Sequence, residues 1–274
     1  MNVVDSVEPV FITFLTDFGL QDDFVGTCHG VIKRIAPESQ IIDITHGIPA
    51  QAVLQGALVL ANTVPYMPVG VHLAVVDPGV GSHRRPLALR DGEGRLYVGP
   101  DNGLLIPAAE RAGITAAHEL ANPSYALENV SRTFHGRDLF APAAAHLSRG
   151  VAIAELGPPI DPEALVRLEL PEPSYGEGVV HATMLYVDSF GNVALNLTRD
   201  DLDRVGVAPG TRLELELSGE RYYAVAARTF ADARPGDVIL FEDSYRNMSV
   251  AISNGNAAAM LHAVVGRPLS IRVA

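Results

Sequence analysis

Candidate catalytic groups collect directly behind one short apolar run. Residues 71–76 have the composition of a buried strand, and they lead into Asp77, a Pro-Gly turn and two cations, Arg84 and Arg85. A carboxylate at the mouth of a buried strand, with cations a few residues on, is how open α/β sheets build their sites. Such groups could orient a water molecule beside a bound ligand. A surface turn closed by an Asp–Arg ion pair would use the same residues, so the pattern leaves both interpretations open.

A second cluster of acids follows the first predicted strand, 10–15. Asp17, Asp22 and Asp23 lie within seven residues of one another. Asp17 is placed like an acceptor for ribose hydroxyls, whereas Asp22 or Asp23 could cap the helix that follows. No G-x-G-x-x-G pattern accompanies them, which argues against the usual dinucleotide fingerprint.

The third candidate is His135, just before an Ala-rich helix. The neighbouring Gly136 predicts a backbone that closely approaches another group, and Asp138 is expected to favour the start of the helix. A lone histidine is more often structural than catalytic. His135 is therefore a candidate on this pattern and no more.

The elements that would position these groups alternate between strand and helix. Apolar runs near 10–15, 40–45, 71–76, 86–89 and 95–99 predict strands. A helix with apolar residues from Phe24 to Ile35 stops before Pro37, and another ends near Asn62. This alternation predicts an αβα domain with a mostly parallel sheet and helices on both faces.

The amino-acid composition changes in a proline-rich stretch, 157–176, and we place a domain boundary near residue 170. The expected domains are 1–170 and 171–274. The second shows only short strands, with strict alternation in TRLELEL, and therefore predicts a small all-β barrel or sandwich. Its short strands are expected at 179–188, 192–197, 211–217, 221–227, 237–241, 248–252 and 269–274.

Composition excludes several partners. The formal net charge of −12 argues against nucleic acid, and no apolar run is long enough to span a membrane. Residues 1–10 do not resemble a secretory signal, and the single cysteine, Cys28, cannot form an internal disulfide. A cytoplasmic protein is the expectation.

Three functions fit these groups of candidate residues. The first is a metal phosphoesterase, but no familiar metal motif appears in the sequence. The second is a nucleoside-binding module without chemistry. The third is an enzyme in which Asp77, an arginine and His135 act on water beside a bound nucleoside. The expected ligands of the phosphoesterase would be Asp17, Asp22, Asp23, His29, His46 and Asp77.

Several stretches together carry a resemblance that runs nearly from end to end. The chain closely resembles the adenosine-forming S-adenosylmethionine hydrolases, also called SAM hydroxide adenosyltransferases, which are related to fluorinase and chlorinase. The matching stretches are TDFGLQDDFVG, DITHGI, VDPGVGSHRR, YVGPDNGLL, TFHGRD, VDSFGN and SNGNAAA. The resemblance implies an αβα domain, a C-terminal β-barrel, and a homotrimer with sites between the two domain types of adjacent subunits.

The resemblance also implies roles for individual residues. The family's Asp–Arg–His set falls on Asp77, Arg84 and His135, the ribose-binding acid on Asp17, and the acid that contacts the methionine amino group on Asp22. The remaining pocket positions fall on Phe134, Asp188, Phe190, Asn192, Phe230, Ser244 and Ala257.

The implied reaction is hydrolysis of S-adenosyl-L-methionine to adenosine and L-methionine, with neither a metal nor a cofactor. The halogenating relatives have different residues where this chain has DPGVG at 77–81, which favours water over halide as the nucleophile. Asp77 and His135 would accept hydrogen bonds or a proton from that water, and Arg84 would orient it. A halogenase that uses halide and a non-catalytic adenosine-binding module are the alternatives.

Overall fold

Strands and helices alternate in the first part of the chain, which the computed structural model describes from residue 11 onward, through residue 274. The structure divides between Leu168 and Glu169 into two compact units, called unit 1 and unit 2 below. Val10, the predicted start of the first strand, lies outside the described residues, as does the rest of 1–10. Each unit is described by itself.

Within the described residues, unit 1 contains one six-stranded mixed sheet. Its order is β2-β1-β3-β5-β4-β6, in which β1, β2, β3 and β5 are parallel and β4 is antiparallel to both neighbours. The mostly parallel sheet is thus confirmed. The strands are β1 (Phe11–Thr16), β2 (Gln40–Thr45), β3 (Gly70–Val75), β4 (Pro86–Asp91), β5 (Leu96–Pro100) and β6 (Ile114–Glu119).

Helices cover both faces of this sheet, as predicted. Ile12 and Phe14 point to the face covered by α1 (Phe24–Ile35) and α4 (Ala141–Ser148). Leu15 points to the opposite face, with α2 (Val53–Thr63) and α3 (Ile106–Ala109). Because both faces are covered, the central strands are apolar nearly throughout, which explains why their pattern is a run rather than an alternation.

Two of the fully buried side chains in unit 1, Cys28 and His72, are titratable groups with strongly shifted pKa values. Cys28, on α1, is fully buried, and burial raises the pKa of its thiol to about 12. His72, on β3, is also fully buried, with Nδ1 2.8 Å from Thr13 Oγ1. Burial lowers the pKa of His72 to about 4, so the ring is neutral in the folded protein.

The prediction that an aspartate side chain caps α1 with a hydrogen bond is wrong. Asp23 occupies the N-cap position, but its side chain makes no capping hydrogen bond and its backbone is already helical. It accepts a hydrogen bond from Thr27 Oγ1 instead, at 3.1 Å.

Unit 2 is a closed barrel, which confirms the all-β expectation and decides between barrel and sandwich. Seven strands follow one another in the order β14-β10-β11-β12-β13-β9-β8, and β14 pairs with β8 to close the ring. β7 (Ser174–Gly176) adds to the outside of β8. The barrel strands are β8 (Val179–Val187), β9 (Val193–Leu195), β10 (Arg212–Leu217), β11 (Glu220–Ala226), β12 (Val238–Glu242), β13 (Met248–Ile252) and β14 (Pro268–Val273).

The alternation in β10 is explained by this barrel. Leu213, Leu215 and Leu217 are buried in its core, while the charged residues between them are less buried. Two short helices complete the unit, α5 (Arg199–Arg204) and α6 (Ala257–Met260). Across residues 11–274, no helix is both long and apolar enough to cross a membrane.

Candidate active site

Asp77 is positioned by the end of β3. Val76 is buried, and its carbonyl accepts a hydrogen bond from Asn102 Nδ2 at 2.8 Å, which fixes the chain as it leaves the sheet. The turn that follows is tight, because Val80 N–H donates to the Asp77 carbonyl at 3.2 Å. The Asp77 carboxylate is thereby held near the sheet edge, with only 6% of its side chain exposed.

Arg84 folds back onto this carboxylate. Its Nε donates to both oxygens of Asp77, at 3.0 and 3.1 Å, and its Nη2 donates to Oδ2 at 2.5 Å. The guanidinium also lies over the Phe140 ring, 5.1 Å from the centroid, and the Arg84 side chain is only 9% exposed. Two buried charges this close require good hydrogen-bond geometry, because desolvation is expensive. The fork of arginine provides that geometry.

His135 completes the cluster, 51 residues further along the chain. Arg84 Nη2 lies 2.7 Å from His135 Nδ1. A guanidinium can only donate, so Nδ1 is the acceptor and Nε2 carries the hydrogen of the neutral ring. Burial and the charge of Arg84 lower the pKa of His135, and the negative charge of Asp77 opposes this only in part. Arg84 therefore bridges a carboxylate and a neutral imidazole.

Two glycines allow the loops of this cluster to meet. Gly81 has φ +77°, and a Cβ there would lie 2.5 Å from the carbonyl oxygen of Arg132. A Cβ on Gly136 would lie 2.9 Å from the ring of Phe18, so the predicted close approach at this glycine is confirmed.

Residues 136–140 form a π-helical turn rather than the start of an ordinary helix. Asp138 lies within this turn, where its carboxylate accepts from Ser131 N–H and pairs with Arg137.

Arg85 points elsewhere, although it is adjacent in sequence to Arg84. Its Nε donates to Asp101 Oδ2 at 2.8 Å, and its Nη2 donates to the carbonyl of Ala164 at 2.6 Å. The structure thus brings Arg84 to Asp77 and gives Arg85 a separate carboxylate.

The residues predicted to bind the nucleoside from unit 1 come from the loop after β1 and from the segment just before Gly136. Asp17 follows β1, is half-buried and accepts a hydrogen bond from Gln51 N–H at 2.8 Å. Asp22 is exposed. Phe134 packs edge-on against Phe18 and Phe24, with centroids 5.7 and 5.0 Å apart.

The residues predicted from unit 2 fall into two groups. In the first, Asp188 closes its own turn, because Oδ1 accepts from the N–H groups of Phe190 and Asn192, each at 2.9 Å. Phe190 itself is 77% exposed. The turn contacts the start of α6, where Ala257 is buried and Ala258 N–H donates to the carbonyl of Gly191. The stretches VDSFGN and SNGNAAA therefore meet.

The second group lies around β12. Phe230 packs on Phe241, with centroids 4.8 Å apart, and remains 44% exposed. Ser244 is exposed in the loop between β12 and β13.

Sequence reasoning missed three side chains that shape these clusters. Phe18 directly follows Asp17, and this adjacency was a usable signal. Phe140 lies under the Arg84 guanidinium and nothing in its local pattern marks it. Asp43 belongs to a predicted strand and its pattern gives it no role, yet it lies between two histidines.

The ligand set expected of a metal phosphoesterase does not assemble as a whole. In the part of the chain that the structure describes, one group of three side chains could hold a metal ion: His29, Asp43 and His46. Asp17, Asp22, Asp23 and Asp77 are not members of it. The Asp77–Arg84–His135 cluster is therefore a site of a different kind, with a fixed cation of its own.

Comparisons with known proteins identify the family of the chain. The models for the SAM hydroxide adenosyltransferase N-terminal and C-terminal domains match residues 12–157 and 182–270. The chain is 47% identical over 262 residues to the (R)-S-adenosyl-L-methionine hydrolase of Salinispora arenicola, covering 95% of this chain and 97% of that one.

More distant similarity extends to a halogenating enzyme. A fluorinase of an Actinoplanes species is 30% identical over 267 residues, covering 88% of this chain and 90% of its own. The crystal structure of an uncharacterized conserved protein from Thermotoga maritima superposes with a TM-score of 0.88 at 33% identity, covering 95% of this chain and 99% of that one. The chain belongs to the SAM hydroxide adenosyltransferase family.

Proposed function

We propose that this protein hydrolyses S-adenosyl-L-methionine to adenosine and L-methionine, by attack of water on C5′ of the ribose. The observation that carries the proposal is the buried Asp77–Arg84–His135 cluster, in a chain whose curated relatives are named (R)-S-adenosyl-L-methionine hydrolases.

The chemistry needs a positioned water more than it needs an acid. The sulfonium of the substrate leaves as a neutral thioether, so no proton has to be supplied to the leaving group. The water must be held in line behind C5′ at a near-attack distance and shielded from bulk solvent. Its oxygen must also lose a proton as the C–O bond forms.

The hydrogen bonds favour a division of labour among the three side chains. Asp77 has acceptor capacity beyond its bonds to Arg84, so it is the group that accepts from the water. Because a carboxylate is a weak base, proton loss accompanies attack rather than preceding it. His135 Nδ1 is occupied by Arg84, so in this proposal the ring fixes the guanidinium and does not accept from the water, unlike the expectation from the sequence.

The rest of the proposed site recognises the substrate. Asp17 would accept hydrogen bonds from the ribose hydroxyls and Asp22 would contact the methionine amino group. Asp17→Asn should weaken adenosine binding, as measured by calorimetry, and unchanged affinity would contradict that role. Phe134, Asp188, Phe190, Asn192, Phe230, Ser244 and Ala257 are proposed as the remaining pocket residues.

The proposed hydrolysis uses no metal and no other cofactor. The direct test is to incubate the purified protein with S-adenosyl-L-methionine in the presence of a chelator and to separate the products by chromatography. Adenosine and methionine are expected. Adenosine bound without turnover would identify a binding module instead, and loss of activity on chelation would show that the active protein needs a metal, in the reaction or in its structure.

The names of the relatives suggest a sharper substrate test. Those names specify the (R) form of S-adenosyl-L-methionine. We propose that this chain also prefers the (R) configuration at sulfur, so the two sulfonium epimers should be assayed separately. Equal kcat/KM for both would contradict the preference.

Halide use is the second candidate, because fluorinases are among the relatives. Assays with added fluoride, chloride or bromide should still give adenosine. A 5′-halo-nucleoside as the main product would replace the hydrolase proposal with a halogenase.

We further propose a homotrimer, in which neighbouring subunits complete each other's sites, located in the cytoplasm. The trimer is proposed from the family resemblance, and we expect a neighbouring subunit to cover exposed apolar side chains such as Leu20 and Phe190. The single free cysteine is compatible with a reducing compartment. Sedimentation equilibrium should give three times the 29.1 kDa chain mass, and a monomer mass would contradict the trimer.

A further inference from the structure

Two histidines and an aspartate from three segments of unit 1 converge away from the Asp77–Arg84–His135 cluster. His29 lies on α1, Asp43 on β2, and His46 in the loop after β2. His29 Nε2 is 2.9 Å from Asp43 Oδ1, and His46 Nε2 is 3.1 Å from the same oxygen. The three candidate donor atoms all lie within 4.8 Å of one another.

These separations are close to those of a metal site. Zinc binds imidazole nitrogen and carboxylate oxygen at about 2.0–2.2 Å, so neighbouring donors in a tetrahedral site are about 3.3 Å apart. The two nitrogen–oxygen separations need to change by only a few tenths of an ångström to match. Two imidazoles and one carboxylate form a donor set that suits zinc and related divalent transition ions.

His46 provides an independent indication of a ligand. The residue is only 5% exposed, and its Nδ1 lies 2.8 Å from Thr16 Oγ1, which fixes the ring. Within residues 11–274, its Nε2 is buried and has no hydrogen-bond partner, although Asp43 Oδ1 is close. In the tautomer that a metal ligand requires, Nδ1–H donates to Thr16 Oγ1 and Nε2 presents its lone pair towards Asp43 Oδ1. A cation between the two acceptors removes that repulsion, and buried polar atoms without partners are otherwise rare.

The remaining sides of the cluster are open to solvent. The side chains of His29 and Asp43 are 32% and 42% exposed, so an ion can enter and water can complete its coordination. The His46 carbonyl also accepts a hydrogen bond from Gly19 N–H at 2.8 Å. An ion at His46 would therefore brace the loop that carries Asp17.

We propose that His29, Asp43 and His46 bind one divalent transition-metal ion of the zinc class. The ion has a structural role, since it joins α1, β2 and the loop after β2 to the loop after β1. The site shares no residue with the Asp77–Arg84–His135 cluster. The ion therefore takes no part in the proposed chemical step, although its loss would loosen the loop that carries Asp17.

The test is direct metal binding by the full chain without a polyhistidine tag. Protein stripped with a chelator and returned to chelator-free buffer is titrated with Zn²⁺ in a calorimeter, and with Co²⁺ while the visible d–d bands are recorded. One ion per chain is expected, with Co²⁺ bands typical of low coordination number. Under saturating Zn²⁺, about 100 times its dissociation constant, Tm should rise by roughly 5–10 °C.

Variants decide whether the ion occupies this cluster. His29→Ala and Asp43→Asn change partly exposed side chains and are expected to fold, which circular dichroism checks. Each should weaken Zn²⁺ binding at least about 10-fold, because changing even an outer-shell partner of a ligand costs about 10–100-fold in metal affinity. His181→Ala, which removes an exposed histidine of unit 2, should bind Zn²⁺ like the unchanged protein.

Two results would overturn the proposal. One is the absence of Zn²⁺ and Co²⁺ binding at micromolar protein, which would leave a hydrogen-bonded His–Asp–His group. The other is binding that persists in both His29→Ala and Asp43→Asn, which would place the ion elsewhere. Neither measurement uses the substrate, so both are independent of the proposed hydrolysis.

Discussion

Arg84 has three contacts that a simpler cation could not make together. Its guanidinium donates to Asp77 and to His135 and stacks over Phe140. These contacts fix the plane of the group, and the low exposure of Asp77 and Arg84 strengthens their attraction. A lysine ammonium has no planar fork and cannot reproduce the arrangement.

Arg84→Lys should therefore lower kcat by about 100-fold or more, the usual scale for losing a positioned group in acid–base chemistry. KM should change much less, because the contacts shown for Arg84 are to Asp77, His135 and Phe140. Steady-state kinetics with S-adenosyl-L-methionine measures both. Arg85→Lys is the matched control in the same loop and should leave kcat unchanged. Equal losses in the two variants would contradict the role of Arg84.

The lowered pKa of His135 predicts a pH dependence. The neutral ring accepts from Arg84, and protonation of Nδ1 would replace that hydrogen bond with repulsion. Since burial and Arg84 lower the pKa, the neutral form should persist below about pH 6.5, the ordinary value for histidine. Activity should stay level through neutral pH and fall only in more acidic solution.

The control for this prediction is His135→Asn, which retains an acceptor for Arg84 but cannot titrate in this range. Its remaining activity should lack the fall on the acid side. A wild-type midpoint at or above about pH 6.5 would show that the environment does not keep His135 neutral.

The sequence predicted which residues form the cluster better than it predicted the contacts between them. Asp77 and Arg84 were evident from their loop, but that loop also contained Arg85, and family spacing was needed to choose between them. His135 is distant in sequence and was only one candidate among the histidines. That Arg84 joins the other two side chains could not be predicted, because it depends on the packing of one loop against another.

At the scale of elements, the packing of the loops depends on Gly81. A side chain at this position would need φ +77° and would collide with the carbonyl of Arg132. Gly81→Ala should lower the free energy of unfolding by more than about 2 kcal/mol and should also lower kcat. Chemical denaturation and kinetics measure the two effects.

Gly94→Ala provides the comparison, because Gly94 has φ +83° and a Cβ there would meet nothing within 4 Å. Gly94→Ala should therefore lower the free energy of unfolding by only about 1 kcal/mol, the cost of placing a side chain on a left-handed backbone, and should keep normal kcat. If Gly81→Ala behaved like Gly94→Ala, close contact with residue 132 would not be what positions the cluster.

Strand positions were the most predictable elements. Apolar runs and alternation marked the barrel strands β8 to β14, and β1 to β5 in unit 1. The direction of β4 could not be read, since an apolar strand buried on both faces looks the same in either orientation. The π-helical turn at Gly136–Phe140 was also missed, because it depends on the contact between Gly136 and Phe18.

At the scale of the whole molecule, buried histidines make stability depend on pH. His72 has a folded pKa of about 4, whereas histidine in an unfolded chain titrates near 6.5. The unfolded state therefore binds more protons between these values, and stability falls as pH falls through this window. His72 alone should account for a loss of about 2 kcal/mol between pH 7 and pH 5, given 1.36 kcal/mol per pKa unit.

His72→Asn tests this contribution. The variant can keep a hydrogen bond to Thr13 but does not titrate, so its unfolding free energy should depend less on pH, by about that 2 kcal/mol. Urea denaturation at several pH values gives the comparison, and other titrating groups cancel between the two proteins. His181→Asn, at an exposed position, should show the wild-type dependence. The same slope in His72→Asn and wild type would contradict the assignment.

The fold class of both units was predictable, but the closure of the barrel was not. Alternating strands and helices predicted the αβα unit, and many short strands predicted a barrel or a sandwich. The difference between the two depends on β14 pairing with β8, whose residues 268–272 and 179–183 are far apart in sequence. Periodicity within each strand contains no information about such a partner.

The enclosed thiol on α1 has a practical consequence. Cys28 is the only cysteine of the chain, it is fully buried, and its raised pKa keeps it from forming the reactive thiolate. A thiol-specific dye should therefore label the native protein only when α1 separates from the sheet. The rate of labelling would measure how often unit 1 opens spontaneously. Unit 2 contains no sulfhydryl group, so the same reagent would not report its opening.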